Sequence, residues 1–249
     1  MPETPAILVE TVGTTRHLRL NRPDKRNAVS SGMYVTLESE LRVADIDDSV
    51  TSVIISGEGS DFTAGNDLAD FLDDPPLGPD APVLRFLAAL TEVGVPLIAA
   101  VHGHAVGIGA TMLLHCDFAV ADRTAVLSFP FVRLGVVPEA ASSLLLPRAV
   151  GPKLAASLLL TGEPLAAAAA LEVGLLTSVV QPGHAPAAAM AIAERLAALP
   201  REAVRATRRL LHAPEETTRE RLDREAVVFA ERLRSPEFRT LAAKVLGQD

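Results

Sequence analysis

A single cysteine, Cys116, stands in the 249 residues, so no disulfide can form within the chain. Its neighbours Met112, Leu113 and Leu114 are apolar, which favours burial of the thiol over reactivity and suits a reducing compartment. Basic clusters are missing as well. Lys and Arg number 23 against 31 Asp and Glu, a formal net charge of −8, and no stretch gathers the cationic density that a nucleic-acid backbone requires. Any anionic ligand must therefore be held by local Lys and Arg and not by the overall field. The apolar runs are too short or too interrupted to span a bilayer, and the first five residues carry neither the basic flank nor the apolar core of a signal peptide. A cytoplasmic protein without nucleic-acid or membrane partners is expected. What is abundant is apolar surface: 49% hydrophobic residues and a mean hydropathy of +0.28 exclude a disordered chain, and the length supports one substantial core.

Strand and helix patterns interleave along most of the sequence. Ile7 to Val12 and His17 to Leu20 alternate like strands, and Ser30 or Ser31 is placed to cap a helix running to about Val43. The apolar runs Ser52 to Ser56, Leu97 to Val101 and Phe118 to Ala121, separated by helical stretches, read as buried strands and argue α/β layering. From Pro200 onward the pattern is helical only, over 201–212, 217–234 and 236–246, with Leu222, Val227, Val228, Phe229 and Leu233 on one face. This divides the chain into a core, 1–199, and a C-terminal helical region, 200–249. The stretch 69–82, with four aspartates, four prolines and Gly78, is poor helix and poor strand and reads as a mobile loop.

Two of the strands run into glycine-bearing turns, Phe62-Thr63-Ala64-Gly65-Asn66-Asp67-Leu68 and Gly103-His104-Ala105-Val106-Gly107-Ile108-Gly109. Glycine there lets the backbone turn sharply and approach a ligand, leaving neighbouring N–H groups free to point at one ligand oxygen. Together the turns look like the halves of an oxyanion hole, a device for stabilising an enolate. His102, His104, His115 and Cys116 invite a zinc reading, but no further ligand pair at metal spacing accompanies them, so no metal is expected.

The segment that follows, Phe129-Pro130-Phe131-Val132-Arg133-Leu134-Gly135-Val136-Val137-Pro138-Glu139-Ala140-Ala141-Ser142-Ser143, resembles the crotonase family, the enoyl-CoA hydratases and isomerases. Supporting pieces lie in order along nearly the whole chain: Leu20-Asn21-Arg22-Pro23, Asn27-Ala28, His115-Cys116-Asp117-Phe118, Leu160-Thr161-Gly162-Glu163 and Ala170-Leu171-Glu172-Val173-Gly174-Leu175. The resemblance implies a crotonase-like spiral of ββα units whose C-terminal helices build a homotrimer or hexamer. It also implies an acyl-CoA thioester as substrate, with coenzyme A entering as part of it and no separate cofactor.

By position in the motif, the backbone N–H groups of Ala64 and Ile108 are the expected oxyanion donors. Hydratases of the family use two glutamates, and those positions here hold Thr111 and Phe131. One carboxylate remains, Glu139, directly after Pro138 at the expected start of a helix, where the Δ3,Δ2-enoyl-CoA isomerases carry their acid/base residue. A first-turn acid is also favoured by the helix dipole alone. Similarity to that branch implies a shift of an enoyl-CoA double bond from C3 to C2 in fatty-acid or related metabolism. The alternatives are an enoyl-CoA hydratase or another thioester reaction of the family, and a non-catalytic member that binds CoA esters. Lys25 and Arg26 fall in the segment that meets the nucleotide end of CoA in relatives. Ala28, Ala64, Asp67, Leu68, Ile108 and Phe131 are the positions expected along the rest of the thioester, although Asp67 is equally well explained as a cap for the turn that follows it.

Overall fold

The computed structural model describes residues 4–73, 75, 78–213 and 215–246. Among these residues nine strands are formed: β1 (Ile7–Val12), β2 (Thr15–Leu20), β3 (Ser52–Gly57), β4 (Leu97–Val101), β5 (His104–Val106), β6 (Phe118–Asp122), β7 (Val126–Ser128), β8 (Leu165–Ala166) and β9 (Ser178–Val180). The α-helices are α1 (Ser31–Ile46), α2 (Leu68–Asp73), α3 (Pro82–Glu92), α4 (Ile108–Thr111), α5 (Ser142–Val150), α6 (Pro152–Ala156), α7 (Ala167–Glu172), α8 (Ala185–Ala197), α9 (Arg201–Leu211), α10 (Thr218–Leu233) and α11 (Pro236–Val245).

The main sheet has the order β1-β2-β3-β4-β6-β9; β1 and β2 form an antiparallel hairpin, and every later pair is parallel. Strand β4 is apolar throughout and β3 carries Val53, Ile54 and Ile55 at its centre, because both of their faces are covered. Ile54, Ile98, Ala100 and Val120 meet Ala185, Ala189 and Ile192 of α8 on one side. Val53, Ile55, Leu97 and Ala99 join the larger core on the other, with Met33, Leu37 and Leu41 of α1 and Phe86 and Leu90 of α3. Consecutive residues of one strand thus feed opposite layers, as the two-residue period of a strand requires. A small second sheet, β5-β7-β8, stands where the chain leaves β4 and anchors the second glycine turn.

Helix α1 starts where the sequence suggests: the Ser30 hydroxyl accepts the Met33 N–H at 3.4 Å. The stretch expected as loop from residue 69 is helical as far as Asp73, because the Asp67 carboxylate takes the Ala69 N–H at 3.2 Å and starts α2. Residues 74, 76 and 77, the centre of that expected loop, lie outside the described residues.

The C-terminal helices are held very differently from one another. Arg208 of α9 is buried, its Nε donating to Asp117 Oδ2 at 2.7 Å and its Nη1 to the Val93 carbonyl, while His212 donates to Asp117 Oδ1 at 2.9 Å. By contrast α10 and α11 bury no residue, and Leu222, Val227 and Phe229 are each more than half exposed. Helix α10 is kept in place at its start by a reciprocal Thr217–Glu220 capping box.

Candidate active site

The two glycine turns lie side by side as one unit. Phe62 N–H donates to the His102 carbonyl at 2.8 Å, Thr63 N–H to that of His104 at 3.0 Å, and Val106 N–H returns to Thr63 at 3.0 Å. Asp61 ties the turns together through its side chain. Its Oδ1 accepts the His104 N–H at 2.9 Å and His104 Nδ1 at 2.6 Å; its Oδ2 accepts Arg26 Nε at 3.1 Å and the Ser60 hydroxyl at 2.8 Å. Burial pushes this carboxyl up, but the donors of His104, Arg26 and Ser60 outweigh it and hold the group far below the usual carboxylate range. Asp61→Asn sets an NH2 group against one of these donors. The expected cost is about 1–3 kcal/mol, measured as a lower urea midpoint at unchanged slope.

Glycine is required where the turns touch. A Cβ on Gly65, whose φ is +94°, falls 2.9 Å from the Val106 carbonyl oxygen, and one on Gly103 falls 2.1 Å from that of Ser60.

Which amides are left over decides what the turns can bind. Ile108 opens α4, so its N–H has no partner inside the helix, and no acceptor for it exists among the described residues. In the first turn the expected donor is corrected. The Ala64 N–H is already spent on the Arg26 carbonyl at 2.8 Å, and the Gly65 N–H on Thr63 Oγ1 at 3.0 Å. Of Ala64, Gly65 and Asn66, Asn66 is the residue whose N–H has no acceptor among the described residues. The reason is a parallel bridge between Val29 and Asn66: it uses the carbonyl of Gly65 and the N–H of Asp67, which turns the N–H of Asn66 itself away from Val29.

Glu139 does not sit in a helix's first turn, as the sequence suggests. It precedes two left-handed alanines, Ala140 (φ 53°) and Ala141 (φ 52°), and α5 begins only at Ser142. The Glu139 carbonyl accepts both the N–H and the hydroxyl of Ser142, at 2.9 and 2.6 Å. Buried His115 donates Nε2–H to the Ala140 carbonyl at 2.8 Å, bracing a conformation that costs a non-glycine residue on the order of 1–2 kcal/mol. The dipole explanation for an acid at position 139 thereby loses its geometry. Burial pushes the Glu139 carboxyl up to about 7, only partly offset by the side-chain amide of Asn66, and its Oε1 has no hydrogen-bond partner among the described residues. A half-buried carboxyl poised near neutrality beside an unpaired amide can take a proton and return it.

Residues 11–241 match the family model described as enoyl-CoA hydratase/isomerase. The chain belongs to this family. It is 38% identical to human enoyl-CoA delta isomerase 2 over 169 residues, which are 65% of this chain and 43% of the human protein. It is also 37% identical to the 2,3-dehydroadipyl-CoA hydratase of Escherichia coli K12 over 165 residues, covering 65% of this chain and 64% of that one. The chain thus spans less than two thirds of the length of both of these relatives. Among solved structures, an enoyl-CoA hydratase/isomerase from Pseudoalteromonas atlantica T6c superposes with a TM-score of 0.82 at 40% identity, with 98% of each chain covered. The fold is therefore the crotonase fold expected from the motifs.

In this member of the family, the two positions where hydratases carry glutamates hold no group that transfers a proton. Thr111 is wholly buried, with its hydroxyl turned back to the Ile108 carbonyl at 3.5 Å, and Phe131 is buried in the core. Lys25 is exposed on a short 3-10 turn, and Arg26 is exposed beside it but engaged by Asp61. The Ala28 carbonyl accepts Arg22 Nη1 at 2.8 Å, and Leu68 is half-exposed at the start of α2. Asp67 is engaged within the protein: its Oδ2 pairs with Arg22 at 2.9 Å and its Oδ1 caps α2, and the Arg22 hydrogen bond holds its carboxyl below the usual range. Tyr34, Asp61 and His115 were not among the expected site residues. Tyr34 and His115 lie in apolar patterns that read as core, and Asp61 in a turn, so their contacts become visible only in three dimensions.

Proposed function

We propose that the protein is an enoyl-CoA isomerase that shifts a 3-enoyl-CoA double bond to the 2 position. The observation that carries this reading is the single carboxyl of Glu139, raised to about 7 by burial and with its Oε1 left without a hydrogen-bond partner among the described residues, while positions 111 and 131 hold no carboxylate. Ionised Glu139 removes a proton from C2; the electron pair spreads over C2, C3 and C4 and onto the thioester oxygen. The N–H groups of Asn66 and Ile108 are the donors for that oxygen, each worth about 2.7–4 kcal/mol in the transition state. Protonated Glu139 then returns the proton to C4, so that C3=C4 becomes C2=C3 and nothing is consumed. Similarity to human enoyl-CoA delta isomerase 2 supports the reading. Hydratase names among the relatives favour a second, addition of water to a 2-enoyl-CoA with Glu139 alone directing the water. Incubation with trans-3-enoyl-CoA and trans-2-enoyl-CoA, with product analysis, separates the two: 2-enoyl-CoA from the first substrate supports isomerisation, and 3-hydroxyacyl-CoA as the main product of either overturns it.

Coenzyme A enters as part of the substrate in this reading, with no resident cofactor. The base must be ionised to act, so kcat/KM for isomerisation should fall about tenfold per pH unit below a midpoint near 7 and level off above it. A cytoplasmic homotrimer, or a dimer of trimers, accounts for the uncovered apolar side chains of α10 and α11. Light scattering at micromolar concentration should give three or six times the mass of one chain; a stable monomer would refute this assembly.

A further inference from the structure

We propose that the side chain of Asn66, oriented by Tyr34, is the positioning residue that sets the ionisation of Glu139. The inference rests on Glu139 being the acid/base group of the reading above. Tyr34 is the chain's one tyrosine and is wholly buried on α1, its ring against Phe86 of α3 with centroids 5.4 Å apart. Its hydroxyl donates to Asn66 Oδ1. A carboxamide has one accepting end and one donating end, and with Oδ1 taken by the phenol the NH2 end remains for the Glu139 carboxyl beside it.

The orientation decides the sign of the effect. The opposite rotation of the amide turns its oxygen on a carboxylate, which disfavours ionisation; the observed one offers N–H donors and favours it. Tyr34 can be relied on to donate, because burial and then the charge of Glu139 hold its proton well beyond the usual phenol range. The ionisable groups around Glu139 are few. Tyr34 approaches from α1, and His115, pushed down by burial, is bonded to the Ala140 carbonyl behind it. Asn66 then serves both parts of the chemistry, its main-chain N–H the oxyanion and its side chain the base.

The test titrates Glu139 in the unliganded protein by the infrared band of its protonated carboxyl, with Glu139→Gln to assign the band. This readout does not depend on turnover, so the inference can fail while the isomerase reading survives, and the reverse. Asn66→Ala keeps the main-chain N–H and should raise the midpoint by about one pH unit; Tyr34→Phe, which keeps the buried ring and so the packing of α1, should move it the same way by less. The low-pH limb of kcat/KM should shift in parallel. A midpoint unmoved in Asn66→Ala, with or without a loss of rate, would reduce Asn66 to a structural part and overturn the proposal. So would a midpoint unmoved or lowered in Tyr34→Phe, which also stands as the deciding variant if Asn66→Ala does not fold.

Discussion

Replacing Glu139 by glutamine should lower isomerisation of a 3-enoyl-CoA by about 10²- to 10⁴-fold, the usual cost of removing a general base, with CoA-ester affinity close to that of the wild type. Glutamine keeps the size of the side chain and can fill the same half-buried space, but it cannot accept the C2 proton. Thr111→Ala is the matched control. Its hydroxyl is spent on the Ile108 carbonyl and its side chain is wholly buried, so the change should be felt in packing and not in proton transfer. The same Glu139 substitution should stabilise the fold at high pH. A carboxyl whose pKa rises from 4.5 to about 7 on folding binds its proton more tightly in the native state, so stability falls as pH rises through that window. Removing the ionisable group should therefore raise stability by about 1–3 kcal/mol above pH 7 and leave it unchanged below pH 4. Urea melts at pH 4 and pH 8 check this, and turnover near the wild-type level in Glu139→Gln would falsify the single-carboxylate mechanism.

The second large effect should come from a single methyl group at Gly107. This residue caps α4 with φ 55° and ψ −116°, a combination that residues with a Cβ essentially never adopt. A Cβ there meets nothing within 4 Å, so steric contact is not the difficulty; the backbone angle is. Gly107→Ala must relax by rotating the peptide that leads into α4, and this moves the Ile108 N–H, the first amide of that helix, which has no acceptor among the described residues. Loss of one such donor typically costs about 10²- to 10³-fold in kcat, and kcat should fall here with KM little altered. A crystal structure of the variant with a displaced Ile108 amide would complete the test. Equal losses in kcat and affinity, or none, would mean that this N–H does not face the reacting oxygen.

Much of the architecture is written locally, and for a physical reason. Strands such as β1 and β4 are found at the residues where their apolar runs lie, and helices α9 to α11 fall within a residue or so of their periodic patterns, because alternation and 3.6-residue periods are properties of neighbours in the chain. The crotonase motifs identified both turns and singled out Glu139 by the same local means. The tertiary structure decided matters that no period encodes. It left the Asn66 N–H and not that of Ala64 available in the first turn, because an N–H is free only if no distant carbonyl has taken it, and Arg26, 38 positions earlier, supplies the carbonyl that takes Ala64's. Asp67 was left pairing with Arg22, 45 residues away, and Glu139 was lifted out of a helix start by two left-handed alanines. Tyr34, Asn66 and Glu139, remote in sequence, were brought to one place. The sequence by itself determined where the Glu139 carboxyl and the two glycine turns stand in the chain; only the tertiary packing decided which amide is unpaired and what surrounds the carboxyl. Hydrogen-bond saturation and desolvation depend on partners far along the chain.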